Sequence, residues 1–162
     1  MNAVDVLKYG SKTFHDALNV VPQAMWLQTG VCGTWSVKDL IAHLASYEHL
    51  LVEVLAPFAG SDVETPTIAS VAEHGFARFN DVQVEARAQL TPQEALAEYE
   101  AAFDEVMRLA PEIQPQDWRQ LGTLPWYGQE YALDDFVVYS FYGHKREHSA
   151  QIHVFGDRLA ER

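Results

Sequence analysis

The stretch WSVKDLIAHLASYEHLLVEVL, residues 35–55, decides the fold class. Ser36 is a typical N-cap residue, and Asp39 three positions later completes a variant of the capping box that suits the positive end of a helix. The apolar residues that follow recur at helical spacing, at Val37, Leu40, Ile41, Leu44, Leu51 and Leu55. The stretch therefore predicts a long amphipathic helix with a buried face, which ends near Pro57 and Gly60.

Helical patterns also flank this stretch on both sides. They cover about residues 3–20, about residues 68–88, a segment capped by Thr91 with Pro92 and Glu94, and about residues 133–156, ending near Gly156. The connection at residues 111–131 is long and rich in aromatic residues, whereas no alternating strand or hairpin dipeptide is visible. We expect an all-α fold, a four-helix bundle with one extra short helix or crossover, as a single domain over residues 1–162.

Composition narrows the function classes. The 162 residues are 48% hydrophobic, and the single cysteine allows no internal disulfide. Without a secretory signal or an apolar run long enough to cross a bilayer, we expect a cytoplasmic protein with no membrane partner. The formal net charge of −12 and the lack of a basic cluster lead us to expect no nucleic-acid partner. A small-molecule substrate is expected, and a homodimer is compatible with the pattern.

Two histidines stand out in YSFYGHKREHSAQI, residues 139–152. At about 100° per residue, His144 and His148 fall within the apolar stripe of the last helix, whereas Lys145, Ser149, Arg146 and His153 point roughly the other way. Two imidazoles one helical turn apart can share a cation, which makes the pair a candidate metal site. The alternative interpretation is a hydrogen-bonded pair of core histidines.

A third metal ligand would have to come from another helix. His43 is the best candidate because it lies on the flank of the apolar stripe of the second helix, in line with Tyr47. Glu48 lies close to the same stripe and is our candidate catalytic residue, as a base, an orienting group or a ligand. A boundary carboxylate paired with an arginine is the alternative. His49 is expected to face solvent.

The order of these motifs resembles a known family. TWSVKDLIAHL, followed about a hundred residues later by YGHKREHSAQI, is similar to the DinB/YfiT-like superfamily, which includes the mycothiol-dependent maleylpyruvate isomerases and the DfsB-like proteins. The middle section, FNDVQVEARAQLTPQEALAEYEAAFDEVMRLAPEI, resembles DfsB-like members. The resemblance covers most of the chain.

This resemblance implies a four-helix bundle that holds a divalent metal, with zinc or nickel favoured, on side chains matching His43, His144 and His148. It also implies a low-molecular-weight thiol as a second cofactor in some members. In the maleylpyruvate isomerase branch a glutamate takes the place of His144, so that activity is not transferred to this chain. Three imidazoles would leave a coordination position open, as catalytic rather than structural sites do.

Four aromatic residues are candidates for a substrate pocket: Tyr47, Trp126, Tyr127 and Tyr142. Each has an alternative role in packing. Cys32 is a weaker candidate nucleophile because no base is paired with it. The sequence thus predicts a metal-dependent enzyme that acts on a small molecule by thiol transfer or hydrolysis. The alternative is a metal-free small-molecule binding or resistance protein that uses the same cavity.

Overall fold

The computed structural model describes residues 2–161 and is built mainly of helices. The long helices are α1 (Ala3–Leu18), α2 (Val37–Leu55), α3 (Pro66–Ala86), α4 (Pro92–Leu109) and α7 (Gly143–Ala160). Between α4 and α7 lie the short helices α5 (Pro115–Arg119) and α6 (Leu133–Val137), and two short strands, β1 (Thr29–Cys32) and β2 (Trp35–Ser36), precede α2. The predicted all-α helical bundle is confirmed. Among the helices of residues 2–161, none is long and apolar enough to cross a membrane.

The central helix is α2, which packs against both α3 and α4, while α1 packs against α7. Its capping box closes as predicted, because the Asp39 N–H donates to Ser36 Oγ over 3.2 Å and the Ser36 N–H donates to Asp39 Oδ2 over 3.0 Å. The predicted apolar stripe is buried, with Leu51 and Leu55 fully enclosed. Each such leucine stabilises the fold by about 1.5–3 kcal/mol. Burial on this scale fixes the rotation of α2 and so the direction of its polar side chains.

A π turn at Val138–Tyr142 joins α6 to α7. The turn is defined by its hydrogen bonding, since the Gly143 N–H donates to the carbonyl oxygen of Val138 five residues earlier. One residue more than an α-helical turn holds is inserted, so every later side chain is rotated by about 100° relative to a regular helix. Such turns are frequent at functional sites. This one lies directly before the histidine pair.

The π turn corrects our prediction for two side chains of α7. Lys145 and Ser149 were predicted to point away from the interior, but they are 1% and 2% exposed. A helical wheel places residues before and after the inserted residue on one regular helix. The wheel therefore misplaced the centre of the buried face of α7. Arg146 and His153 are exposed, as predicted.

Two other predictions about local structure are wrong. Residues before α2 form an antiparallel pair of short strands, with Thr29 opposite Ser36 and Cys32 opposite Trp35, although their sequence does not alternate. Helix α7 also does not end near Gly156 but continues to Ala160. The glycine serves close packing instead, since a Cβ atom at this position would lie 2.6 Å from Val20 Cγ1.

Candidate metal centre

Three histidine side chains from two helices meet in the interior. His43 comes from α2, and His144 and His148 are one turn apart on α7. The Nε2 atom of His144 is 2.9 Å from Nε2 of His43 and 2.8 Å from Nε2 of His148. One ring nitrogen from each residue lies within 4.8 Å of the others. The structure thus brings together the three residues that the sequence analysis selected as ligands.

Burial keeps these imidazoles neutral. Burial first, and then the neighbouring His144 and His148, lowers the pKa of His43 from 6.5 to about 2. The pKa of His144 is lowered to about 3 by burial, then by His148 and Lys145. Burial also lowers the pKa of His148, although its hydrogen bond to Gln151 opposes the change. A metal ion requires neutral imidazole ligands, and all three are neutral at pH 7.

The orientation of the rings leaves lone pairs facing one another. The Nδ1–H of His148 donates to Gln151 Oε1 over 2.8 Å, so its Nε2 atom carries a lone pair. Consequently, at most one of the two short Nε2 contacts of His144 is a linear hydrogen bond. His43 Nδ1 is buried and has no hydrogen-bond partner among the described residues. This donor set fits a divalent metal, because a cation would be a common partner for the converging nitrogens.

Aromatic rings surround the three imidazoles. The Trp35 ring centroid lies 5.0 Å from that of His43, and the Tyr47 centroid lies 4.9 Å from His43 and 4.5 Å from His144. The Tyr47 hydroxyl donates to Asn80 Oδ1 over 3.2 Å, and burial raises the pKa of Tyr47. Tyr47 is therefore a neutral, oriented hydroxyl group beside the histidine cluster.

A cavity of about 360 Å³ adjoins His144. It is formed between α2, the second part of α3, the connection before α6, α6 itself, the π turn and the beginning of α7. A break in α3 at Gly75 (φ 70°, ψ 158°), directly before Phe76, helps to shape it. Its lining is mostly aromatic and comprises Tyr47, Leu50, Phe76, Tyr127, Phe136, Tyr139, Ser140, Phe141, Gly143, His144 and Glu147.

The cavity contains two of the four aromatic residues predicted for a pocket. Tyr47 and Tyr127 line it. Trp126 lies outside the lining, with its ring edge-on to Phe136 at a centroid distance of 5.4 Å. Tyr142 also lies outside, against Gly10 and next to the guanidinium of an exposed arginine. The sequence analysis did not select the π-turn residues Tyr139, Ser140 and Phe141 for a pocket, although they line the cavity.

Glu48 and Lys145 form an ion pair in the interior. The Lys145 Nζ atom is 2.5 Å from Glu48 Oε1, and the two side chains are 1% and 0% exposed. The pair lies close to Phe103, whose ring centroid is 5.3 Å from Nζ. Although the two charged groups are in contact, neither has a well-directed hydrogen bond to any of residues 2–161. The catalytic role that we predicted for Glu48 is not supported by this position, because Glu48 does not line the cavity and its charge is matched by Lys145.

The other reactive side chains lie apart from the histidine cluster. His49, predicted to face solvent, is half-buried, and its Nε2 atom lies 3.0 Å from Glu98 Oε1. The Arg87 guanidinium binds the same carboxylate, and these hydrogen bonds lower the pKa of Glu98 to about 2. Cys32 is half-buried on β1. The sequence analysis did not select Gln151 as a site residue. Its position three residues after His148, nearly one helical turn later, could have indicated its contact with that histidine.

Comparisons with known proteins agree with this architecture. Residues 9–134 match the family model of the mycothiol maleylpyruvate isomerase N-terminal domain, a match that includes His43 and ends before the histidine pair. The crystal structure of the colibactin self-resistance protein ClbS in complex with a dsDNA has a TM-score of 0.69 to this chain at 14% sequence identity. The likeness covers 93% of this chain and 90% of that chain, and it concerns the fold. A search of curated proteins found no match.

The ClbS structure corrects one of our predictions. We expected no nucleic-acid partner from the net charge of −12, but ClbS, a protein of the same fold, is seen in complex with dsDNA. Net charge describes the average attraction to phosphates, whereas binding depends on local groups and on contacts with bases and sugars. Our prediction that excluded a nucleic-acid partner is therefore wrong, because net charge does not exclude DNA binding by a protein of this fold.

Proposed function

Because the chain belongs to the mycothiol maleylpyruvate isomerase N-terminal domain family, we propose that it is a metal-dependent enzyme acting on a small molecule. The DinB/YfiT-like resemblance is confirmed at the level of family and fold. The observation that carries the proposal is the convergence of His43, His144 and His148 beside a cavity of about 360 Å³.

In this proposal the three histidines hold one divalent metal, with zinc or nickel favoured because both accept imidazole ligands. A metal held by three neutral ligands supplies Lewis acidity to a bound water or thiol, which serves hydrolysis or thiol transfer. Gln151 fixes the ring of His148, and the ion pair of Glu48 with Lys145 holds α7 against α2. These contacts keep the ligands in place before any substrate arrives.

The cavity residues bind and orient the substrate. Their aromatic side chains remove water from an apolar molecule and leave its reacting end next to His144. The Tyr47 hydroxyl is neutral and close to the cluster, so it is available to hydrogen-bond a ligand after exchanging Asn80 as its acceptor. A low-molecular-weight thiol is the proposed co-substrate, in keeping with the name of the family. Maleylpyruvate isomerisation is not part of the proposal, given His144 in place of the glutamate of that branch.

The experiment is metal analysis of protein purified without a histidine tag. We expect about one equivalent of metal per chain in the unaltered protein and a loss of most of it in His148→Ala. His153→Ala is the matched control, because His153 lies on the same helix but is exposed. An unaltered protein without stoichiometric metal, together with a His148→Ala variant that does not differ from it, would disprove the proposal.

The second candidate function is metal-free binding of a small toxic compound. It is favoured by the likeness of the fold to a self-resistance protein and by the presence of the aromatic cavity. The two functions differ in their response to a chelator. A metal enzyme should lose thermal stability when its metal is removed and regain it with added zinc, whereas a metal-free binding protein should not respond.

Double-stranded DNA is a candidate partner as well, because ClbS is seen with it. Given the net charge of −12 of this chain, contacts with phosphates should be few and their binding should weaken with salt. Fluorescence anisotropy of a labelled duplex, measured at about 50 mM salt and upwards, tests this. Saturable binding that weakens with added salt would show that this chain shares DNA binding with ClbS. If no such binding is seen, the two proteins share the fold alone.

A further inference from the structure

The first half of α7 buries only polar side chains. Across residues 143–150 the buried side chains are those of Lys145, His148 and Ser149. The buried large apolar side chains of the helix, Ile152 and Phe155, lie beyond this segment. Hydrophobic burial therefore fixes the end of α7, but it does not by itself fix the rotation of the part that carries the histidines.

The position of the π turn determines this rotation. Before the turn, α6 is anchored by Leu133 and Val137, which are fully buried. Because both ends of the segment are fixed, the one inserted residue must lie somewhere between them. An insertion after the histidines, instead of at Val138–Tyr142, would leave the segment before it in regular helical geometry. That segment would then be rotated by about 100° from its observed direction.

Such a rotation would take the histidine cluster apart. Each residue of the segment would move to the place that the next residue now holds, because the insertion no longer precedes it. His144 would occupy the present place of Lys145, and Glu147 that of His148. The two imidazoles of α7 would then no longer meet His43, so the three histidines converge only when the inserted residue comes before them.

The buried ion pair is a contact that distinguishes the two arrangements. The Lys145 Nζ atom lies 2.5 Å from Glu48 Oε1, and it lies 5.8 Å and 5.3 Å from the ring centroids of Tyr99 and Phe103 on α4. In the rotated arrangement the Glu48 carboxylate would be left without its cation beside these rings. Buried ion pairs contribute little net stability, but the loss of one partner is costly, and their best-attested role is to specify register.

We propose that Glu48 and Lys145 are positioning residues for the metal centre. Their ion pair holds the inserted residue in the π turn and so directs His144 and His148 toward His43. The inference rests on the proposed function for the identification of these histidines as metal ligands. It assigns the pair a role in specifying the direction of α7 rather than in stability. Removal of both charges should therefore leave the protein folded and weaken the metal site.

The experiment compares two double variants, each of which removes one ion pair. Glu48→Met/Lys145→Met removes the buried pair, and Lys12→Met/Asp16→Met removes an exposed pair of α1 as the matched control. Zinc affinity is measured by competition with a chelating dye. We expect the buried-pair variant to bind zinc about 10- to 100-fold more weakly, as is typical when groups that orient metal ligands are lost. The control should bind zinc as the unaltered protein does.

A second measurement follows the rotation itself in chelator-treated protein. Arg146→Cys and Glu147→Cys are each introduced with Cys32→Ser, and the rate of labelling by a thiol reagent is measured. Both positions are exposed, but in the rotated segment position 147 would lie in the buried place of His148, whereas position 146 would stay exposed. A 10- to 100-fold loss of affinity corresponds to a binding arrangement populated at about 1–10%. In the buried-pair variant, labelling of Glu147→Cys should therefore slow by about 10- to 100-fold relative to Arg146→Cys.

The outcomes separate this inference from the proposed function. Equal zinc affinity in the two double variants would overturn the inference, and so would weaker zinc binding with an unchanged ratio of labelling rates. Glu48→Gln/Lys145→Met is a second variant without the ion pair. If neither variant without the pair folds, the pair serves stability and the inference is wrong. If the unaltered protein binds no zinc, the proposed function fails, whereas the labelling ratio still decides whether the pair fixes the position of the inserted residue.

Discussion

The ion pair between Glu48 and Lys145 makes a quantitative prediction about stability. The two side chains are 0% and 1% exposed, and their charged atoms are 2.5 Å apart. Removal of one partner leaves an uncompensated charge in the interior, which costs about 3–5 kcal/mol in the free energy of unfolding. Lys145→Met and Glu48→Met, each close in shape to the residue replaced, should therefore both be strongly destabilising.

The double variant Glu48→Met/Lys145→Met should behave differently. Replacement of a buried ion pair by apolar residues of similar volume is often neutral or stabilising by about 1–4 kcal/mol. We thus expect the double variant to be as stable as the unaltered protein or more so. The difference between the double variant and the sum of the single variants then measures the coupling of the two charges.

The assay is urea unfolding of chelator-treated protein, in which metal binding does not contribute. For a chain of this length, 3–5 kcal/mol also corresponds to a fall of about 6–20 °C in Tm. Lys12→Met is the matched control, because the pair of Lys12 with Asp16 is 69% and 58% exposed and is worth less than about 0.5 kcal/mol. Single variants no more destabilised than Lys12→Met, or additive effects in the double variant, would refute the reasoning.

Three further predictions concern the histidine cluster and the packing of α7 at Gly156. In the metal-free protein the folded state resists protonation of His43, whose pKa is about 2 against 6.5 when unperturbed, so the unfolded state takes up the proton first as pH falls below 6.5. The free energy of unfolding, followed through the urea midpoint between about pH 4.5 and 7.5, should therefore decline with falling pH, and His43 should contribute up to about 1.4 kcal/mol per pH unit. The slope should be shallower in His43→Gln, and an unchanged slope would contradict the low pKa of His43. Gln151→Leu removes the acceptor of His148 Nδ1–H and should weaken zinc affinity by about 10- to 100-fold, as measured by competition with a chelating dye, whereas equal affinity would show that the ring needs no such support. Gly156→Ala should destabilise the protein by about 1–3 kcal/mol, because the new Cβ atom meets Val20 Cγ1, and the substitution should become stabilising in a Val20→Ala background; a stabilising effect in both backgrounds would mean that Val20 gives way freely.

Local sequence signals predicted the long helices well. Ser36 with Asp39 and Thr91 with Glu94 both form complete capping boxes, because each box depends only on residues three apart. The buried stripe of α2 followed from helical periodicity for the same reason. His43, His144 and His148 were also selected in advance, although the spacing alone left a core role open and the family resemblance supplied the preference.

Features that depend on the backbone's departures from regular geometry were not predictable. The π turn rotated α7 so that Lys145 became a buried partner of Glu48, and no sequence pattern marked the inserted residue. The same turn, together with the break in α3 at Gly75, determined which aromatic residues line the cavity. The pairing of β1 with β2 depends on positive φ angles at Gly30 and Gly33 rather than on an alternating pattern.

The nucleic-acid prediction failed for another reason. Net charge is a property of the whole chain, whereas a partner contacts a small part of the surface. The likeness to ClbS shows that this fold occurs in a DNA complex even though the charge of this chain gives no sign of it.

The most direct test of the metal centre is calorimetric titration of chelator-treated protein with zinc at about pH 6, in buffers of different ionisation enthalpy. Burial holds the pKa of His43 at about 2 and of His144 at about 3, and it also lowers the pKa of His148. We therefore predict one zinc ion per chain and the release of less than about one proton from the ligands. Histidines with an ordinary pKa would release about two protons under the same conditions. Absence of saturable binding, or binding that persists unchanged in His43→Ala and His148→Ala, would contradict the account.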